Sequence, residues 1–311
     1  MLKEHLVTKK NRSPRRASRS GATPLIVVAG LAAIAALVWA LASSGSEAPG
    51  QASPGEDPGV AHVHGLGVNP ADASLYVATH TGTFRIPDEG QAERVGSSYQ
   101  DIMGFTVAGP DRFLGSGHPD VAGIQQGQPA RLGLIESTDA GKTWKPLSLS
   151  GDADFHGLAF AHERVYGWDA TSGRFMVSDD RTTWDTRSTV QLFGFAVDPT
   201  DPDHVVGASQ NGLLESTDGG RSWQPVESPG LVALSWDSEM GLWGVEPDGT
   251  VHRRDPAGST WERQGRLPGQ PEAMLARGGV LYAAALEDDV TGIYRSDDDG
   301  ATWRVVYRDE P

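Results

Sequence analysis

From residue 61 to the C-terminus the chain alternates brief apolar runs with brief polar ones, and no run has the length or period of a helix. VVGAS (205–209), GLLES (212–216), LYAAA (281–285), GIYRS (292–296) and WRVVY (303–307) are rich in small, β-branched or aromatic side chains. Gly, Asn, Asp, Pro and Thr fill the gaps between such runs. This is the pattern of short strands joined by tight turns. The strands come in sets of four with a fixed order: one with small residues at its centre, a second after a polar turn, a third that runs into an acidic box, and a fourth that follows a tryptophan.

Three boxes match closely: STDAGKTW (137–144), STDGGRSW (216–223) and SDDDGATW (296–303). Two are worn, SDDRTTW (178–184) and DPAGSTW (255–261), and the closing Trp144, Trp184, Trp223, Trp261 and Trp303 lie 40, 39, 38 and 42 residues apart. A first unit, HGLGVNPADASLYVATHTGTFRIPDEGQAERV (64–95), fits the same frame with its box reduced to PDEG. Six four-stranded units predict an all-β, six-bladed β-propeller. A seventh blade would need a strand from the segment before residue 61.

The boxes resemble the Asp-box, or BNR, repeat of sialidases, sortilin-type receptor domains and photosystem II assembly-factor propellers, and the resemblance covers residues 62–308. It implies that Asp139, Asp218 and Asp298 accept hydrogen bonds from the turn backbone. Gly141, Gly220 and Gly300 would supply unusual turn dihedrals, and Trp144, Trp223 and Trp303 would pack between sheets. In that family these turns lie away from the ligand face, so they specify the fold and not the chemistry.

Charge changes the picture at the N-terminus. Residues 1–24 carry seven Lys or Arg against a single Glu, while the whole chain is at −15, which leaves −21 on the remainder. No charged residue falls between Arg19 and Glu47, and LIVVAGLAAIAALVWALA (25–42) is long enough to cross a bilayer as a helix. The basic flank before it predicts a signal anchor with a cytoplasmic N-terminus and an extracytoplasmic body. ALA before Ser43 also resembles a cleavage site, and cleavage would release a secreted protein. Residues 43–60 lack large apolar side chains and read as a flexible linker, so the propeller is expected over 61–311. The absence of cysteine excludes disulfides and lipoprotein attachment. The acidic body excludes nucleic acid as a partner.

FRIP (84–87) looks like the sialidase motif whose arginine holds a substrate carboxylate, which makes Arg85 a candidate catalytic residue. Its placement differs: it aligns with a third strand, whereas the sialidase motif belongs to an innermost strand. Arg131, Arg174, Arg253 and Arg277 sit in no recognisable partner motif, and Tyr282 lies in a strand that explains it as core. A glycoside hydrolase also needs two carboxyl or equivalent groups at fixed separation, and no such pair stands out.

The first strands of the six units carry a different signal. Aligned on their small residue, they read HVHGLGV (62–68), DIMGFTV (101–107), DFHGLAF (154–160), QLFGFAV (191–197), GLVALSW (230–236) and QPEAMLA (270–276). The position before the small residue is then His64, Met103, His156, Phe193, Val232 and Glu272. Two residues earlier stand His62, Asp101, Asp154, Gln191, Gly230 and Gln270. Strand residues two apart share a face, so the alignment predicts two stacked rings at one mouth of the channel. His80 and His118 end second strands that return to the same mouth, and residues 119–131 form an insertion beside His118 that other units lack. His62, His64, Met103, His118 and His156 are therefore candidate metal ligands, with His80 a weaker member. Imidazole with thioether suits Cu(I), imidazole with carboxylate suits Cu(II), and zinc would accept the histidines with Asp101 or Asp154. The simpler alternative is a set of polar groups that bind water at the channel mouth.

The sequence thus predicts a membrane-tethered extracytoplasmic binding or scaffold propeller for a protein, peptide or small ligand, with copper or zinc at the mouth. The alternatives are a sialidase-like glycoside hydrolase and a metal-free assembly factor for envelope or redox complexes.

Overall fold

The computed structural model describes residues 57–87, 91–255 and 260–308. Blade 1 holds β1 (Val63–Val68), β2 (Leu75–Thr79), β3 (Gly82–Ile86) and β4 (Glu93–Arg94), and blade 2 holds β5 (Asp101–Gly109), β6 (Arg112–His118), β7 (Leu134–Ser137) and β8 (Lys145–Ser148). Blade 3 is β9 (Phe155–Ala161), β10 (Arg164–Asp169), β11 (Arg174–Ser178) and β12 (Asp185–Thr189), and blade 4 is β13 (Gly194–Val197), β14 (Val205–Ser209), β15 (Gly212–Ser216) and β16 (Gln224–Val226). Blade 5 comprises β17 (Ala233–Asp237), β18 (Gly241–Val245), β19 (Thr250–Arg254) and β20 (Trp261–Arg266), and blade 6 comprises β21 (Gln270–Arg277), β22 (Val280–Glu287), β23 (Val290–Ser296) and β24 (Arg304–Arg308). Each sheet is a four-stranded antiparallel meander in chain order. The inner strands β1, β5, β9, β13, β17 and β21 neighbour one another in that order, and β21 returns to β1. This is the six-bladed propeller that the box spacing predicts.

Among the described residues no sheet shares a strand between the two ends of the ring. The seam is closed by side chains: Val60, Val63, Leu66, Val77 and Phe84 from the start of the domain pack with Ala284, Ile293 and Tyr307 of the last blade. Burying a side chain of this size contributes about 1.5–3 kcal/mol. The domain also begins before residue 61. Val60 is buried, Gly59 O accepts a 2.7 Å bond from Thr81 Oγ1, and Arg94 holds the Asp57 carboxylate. The predicted membrane helix at 25–42 and most of the linker lie outside the described residues. Among the described residues no helix is long and apolar enough to cross a membrane.

The box turns behave as the repeat implies. In blade 4, Asp218 Oδ1 accepts bonds from Ser216 Oγ at 2.8 Å, Arg221 N at 3.0 Å and Ser222 N at 2.8 Å, while Oδ2 accepts from Ser222 Oγ at 2.6 Å. These bonds hold the Asp218 carboxyl down at about 2. Asp139 and Asp298 repeat the pattern on Thr143 and Thr302. Gly220 has φ +89°, and an added Cβ would fall 2.3 Å from the Phe175 ring, so no other residue fits there. Each tryptophan packs back onto the preceding blade, as Trp223 Nε1 donates to Ser188 Oγ of β12 at 3.0 Å.

Candidate metal centre at the channel mouth

The antiparallel meander sets the polarity of the ring. The connections between first and second strands, and the boxes between third and fourth, share one end; the starts of the inner strands and the connections between second and third strands share the other. His62, His64 and His156 sit at inner-strand starts, and His80 and His118 at second-strand ends, so all five reach this second end. A central channel of about 570 Å³ opens among the inner strands, and His64, His156, Phe193, Val232 and Glu272 are among its lining residues.

The backbone delivers these side chains by a route the period of two does not foresee. In blade 1 the β1–β2 register shifts between Val63 and Gly65, which leaves His64 in a β-bulge. The same shift falls at Met103 in blade 2, His156 in blade 3 and Glu272 in blade 6. A bulge leaves its extra residue unpaired and turns its side chain; His64, His156 and Glu272 line the channel, whereas Met103 is not among its lining residues. His62 does not belong to a strand at all; it precedes β1 with φ +52°, a left-handed conformation costly for a non-glycine residue. The stacked rings expected from strand alternation are thus replaced by a left-handed residue followed by a bulge.

Two donor groups result. In the first, ligand atoms of His62, His64 and His80 lie within 4.8 Å of one another. His64 Nε2 is 3.3 Å from His80 Nδ1, and Asp101 Oδ1 lies 2.9 Å from His80 Nδ1 and 3.7 Å from His64 Nε2. The rings of His62 and His80 stack at 5.0 Å, and His64 stands edge-on to both. Behind them the buried Glu272 carboxylate takes a 2.7 Å bond with His62 Nδ1 and accepts a bond from Val63 N at 3.1 Å. The bond to Glu272 raises the His62 pKa, whereas burial, followed by the neighbouring imidazoles, pushes His64 down to about 3. That shift favours the neutral imidazole for His64 near neutral pH.

In the second group, ligand atoms of His118, Asp154 and His156 again lie within 4.8 Å of one another. Asp154 Oδ2 is 3.1 Å from His156 Nε2 and 3.6 Å from His118 Nε2. The two groups are near neighbours, since His156 is close enough to His64 to contribute to its depressed pKa.

Of the five ligands the sequence proposes, the structure brings His62 and His64 into one group and His118 and His156 into the other. Met103 occupies the β5 bulge, partly buried, at the ring position equivalent to His64 and His156. His80, the weakest sequence candidate, stands at the centre of the first group, and Asp101, Asp154 and Glu272 complete the surroundings. Their signal was present in the ring alignment, but nothing in the sequence marks the bulges that gather them. Arg85 lies elsewhere, in β3, as its alignment with third strands predicts. Its guanidinium is bound by Glu93 Oε2 at 3.0 Å and Ser74 Oγ at 3.0 Å, and Asp72 is 3.5 Å away. It does not line the channel.

Fold and turns together define the class: the chain is a six-bladed β-propeller of the BNR, or Asp-box, type. The family described as photosynthesis system II assembly factor YCF48 matches residues 174–310. The photosystem II assembly protein Ycf48 of Synechococcus sp. (strain JA-2-3B'a(2-13)) is 35% identical over 130 residues, 39% of this chain and 38% of that protein. The matched segments span under two-fifths of the length of the curated relatives. Among solved structures, a GH74 enzyme of Niastella koreensis superposes with a TM-score of 0.58 at 14% identity, covering 79% of this chain and 45% of that one. YCF48 bound to D1 peptide superposes with a TM-score of 0.50 at 15% identity, covering 80% and 82%. These structural likenesses concern the fold.

Proposed function

We propose that this chain is a metal-binding scaffold of the cell envelope, an extracytoplasmic propeller held by an N-terminal anchor, whose channel mouth takes up a divalent transition metal, Cu(II) before Zn(II). The observation that carries the reading is the convergence of His64 Nε2, His80 Nδ1 and Asp101 Oδ1 at separations of 2.9–3.7 Å. Bonds of about 2.0–2.1 Å set neighbouring ligand atoms about 2.9 Å apart at the right angles that Cu(II) prefers and about 3.3 Å apart around a tetrahedral Zn(II), and the observed separations span both. His62 adds a fourth donor through Nε2, because its Nδ1 faces Glu272, the arrangement in which an outer carboxylate fixes the tautomer of a ligating imidazole. Imidazole and carboxylate without thiolate bind Cu(II) more tightly than other divalent first-row ions. The apolar span at 25–42 with its basic flank supports the anchored, extracytoplasmic placement.

A second reading, a peptide-binding assembly factor, is favoured by the match to the YCF48 family and by the peptide held in the YCF48 structure. The two readings are compatible, since the carboxylate or imidazole of a peptide docked at the mouth would complete the coordination of a bound ion. The test is calorimetric titration of the full chain in detergent with Cu(II) and with Zn(II), beside a His64→Ala, His80→Ala double variant. Stoichiometric uptake that the double variant loses supports the proposal. A folded native chain that takes up neither ion overturns it.

A further inference from the structure

We infer that the mouth holds two metal ions, the second bound by His118, Asp154 and His156 in the groove between blades 2 and 3. This rests on the metal-binding reading above and specifies its stoichiometry.

The case begins with a hydrogen bond outside the cluster. His118 Nδ1 lies 2.8 Å from the carbonyl oxygen of Ala130. A carbonyl can only accept, so Nδ1 carries the proton, and in the neutral ring Nε2 carries a lone pair. That lone pair faces Asp154 Oδ2 at 3.6 Å. Two acceptors pointed at one another repel unless a cation lies between or beside them. His156 Nε2 approaches the same oxygen at 3.1 Å, so three donor atoms from two chain segments surround one point. Their separations match those around a tetrahedral ion.

The carboxylate supplies an independent sign. Asp154 has only 6% of its surface exposed, and its Oδ1 is buried with no hydrogen-bond partner. A buried carboxylate oxygen without a donor is costly, and such groups are usually paired or bound to metal. The backbone around Asp154 is fixed: its N–H donates to Asp169 Oδ1 at 3.2 Å, and its carbonyl accepts from Ala170 N at 3.0 Å. The carboxylate is thus carried on a backbone fixed from both sides.

The insertion of blade 2 gains a purpose from this arrangement. It contains the one short helix among the described residues, α1 (Val121–Gln125), capped by Asp120 through Gly123 N at 2.8 Å. Its return limb delivers Ala130 to His118, and Leu132 N then donates to Gly117 O at 2.9 Å. The loop is thus a clamp that orients a ligand, the part an outer hydrogen bond plays at metal-bound imidazoles. The β10–β9 bulge at His156 supplies the other imidazole.

The test is equilibrium dialysis of the full chain against Cu(II), with bound metal counted by mass spectrometry, beside His118→Ala and His156→Gln. His118 has 41% of its side chain exposed, so its removal leaves folding intact. Two ions per native chain, falling to one in each variant, with the remaining ion sensitive to His64→Ala, is the result expected. One ion per native chain, unaffected by His118→Ala, would overturn the second site and leave the first standing. No ion at all would sink both. Electron paramagnetic resonance separates the sites further, since the signal added by the second equivalent of Cu(II) should be missing from both variants.

Discussion

Replacing His64 with asparagine tests the electrostatics of the mouth in the absence of metal. His64 is buried among His62, His80 and His156, and its pKa sits at about 3, against about 6.5 in an unfolded chain. A base whose pKa falls on folding is protonated preferentially in the unfolded state, so acid favours unfolding. The stability is fully present above pH 6.5 and is lost as pH falls toward 3. Between pH 6 and pH 4.5 the unfolded chain holds almost one proton more than the fold at this site, and stability drops at about 1.4 kcal/mol per pH unit, about 2 kcal/mol across the interval. His62 works in the opposite sense, because Glu272 raises its pKa; its contribution is complete below 6.5 and fades only as pH rises through the folded value. Carboxylates such as Asp218, held at about 2, lose theirs mostly below the interval. Urea unfolding followed by tryptophan fluorescence, in detergent with a chelator, at pH 6 and pH 4.5, should therefore show native stability falling by about 2 kcal/mol more than that of His64→Asn. Equal losses in the two proteins would refute the placement of His64 as a buried neutral imidazole.

The remaining predictions concern the turns and the outer carboxylate. Asp218→Ala removes four hydrogen bonds from an exposed turn on the end opposite the channel mouth; it should cost about 2 kcal/mol and lower Tm by roughly 4–8 °C in differential scanning calorimetry, while Cu(II) uptake stays at the native stoichiometry. Glu272→Gln keeps an acceptor for His62 but removes its charge, and competition against a chromophoric chelator should show the first Cu(II) bound about 10–100-fold more weakly. Affinity unchanged by Glu272→Gln would mean that His62 is not a ligand.

The fold was legible because its signal is periodic. A box turn needs Asp218 to accept from Ser222, Gly220 to take a left-handed φ and Trp223 to reach back to β12, so the same three residue types recur in blades 2, 4 and 6 and leave worn traces in the others. The site was legible in composition and not in geometry. Aligning inner strands placed His64, Met103, His156 and Glu272 at one position, and the structure gives those four residues the same bulge. A bulge depends on how two strands pair, which a single strand's sequence does not record. The left-handed conformation of His62 is likewise invisible in a string that reads as plain alternation. Hence the separation into two groups, the entry of His80, and the pairing of His62 with a residue 210 positions away could be found only in three dimensions.

That last pairing reaches beyond coordination chemistry. The ring's two ends meet without a common strand, and at their junction His62 leans on Glu272 across nearly the whole length of the domain. An ion bound to His62, His64 and His80 would tie the opening residues into the mouth, while Glu272 keeps them against the last blade. In a chain that has no cysteine, such an ion would be a removable cross-link within residues 62–101, and it would reach the last blade only through the His62–Glu272 hydrogen bond. Metal supply would then set how long the protein resists proteolysis, with the loaded ring persisting and the empty one fraying first at its seam.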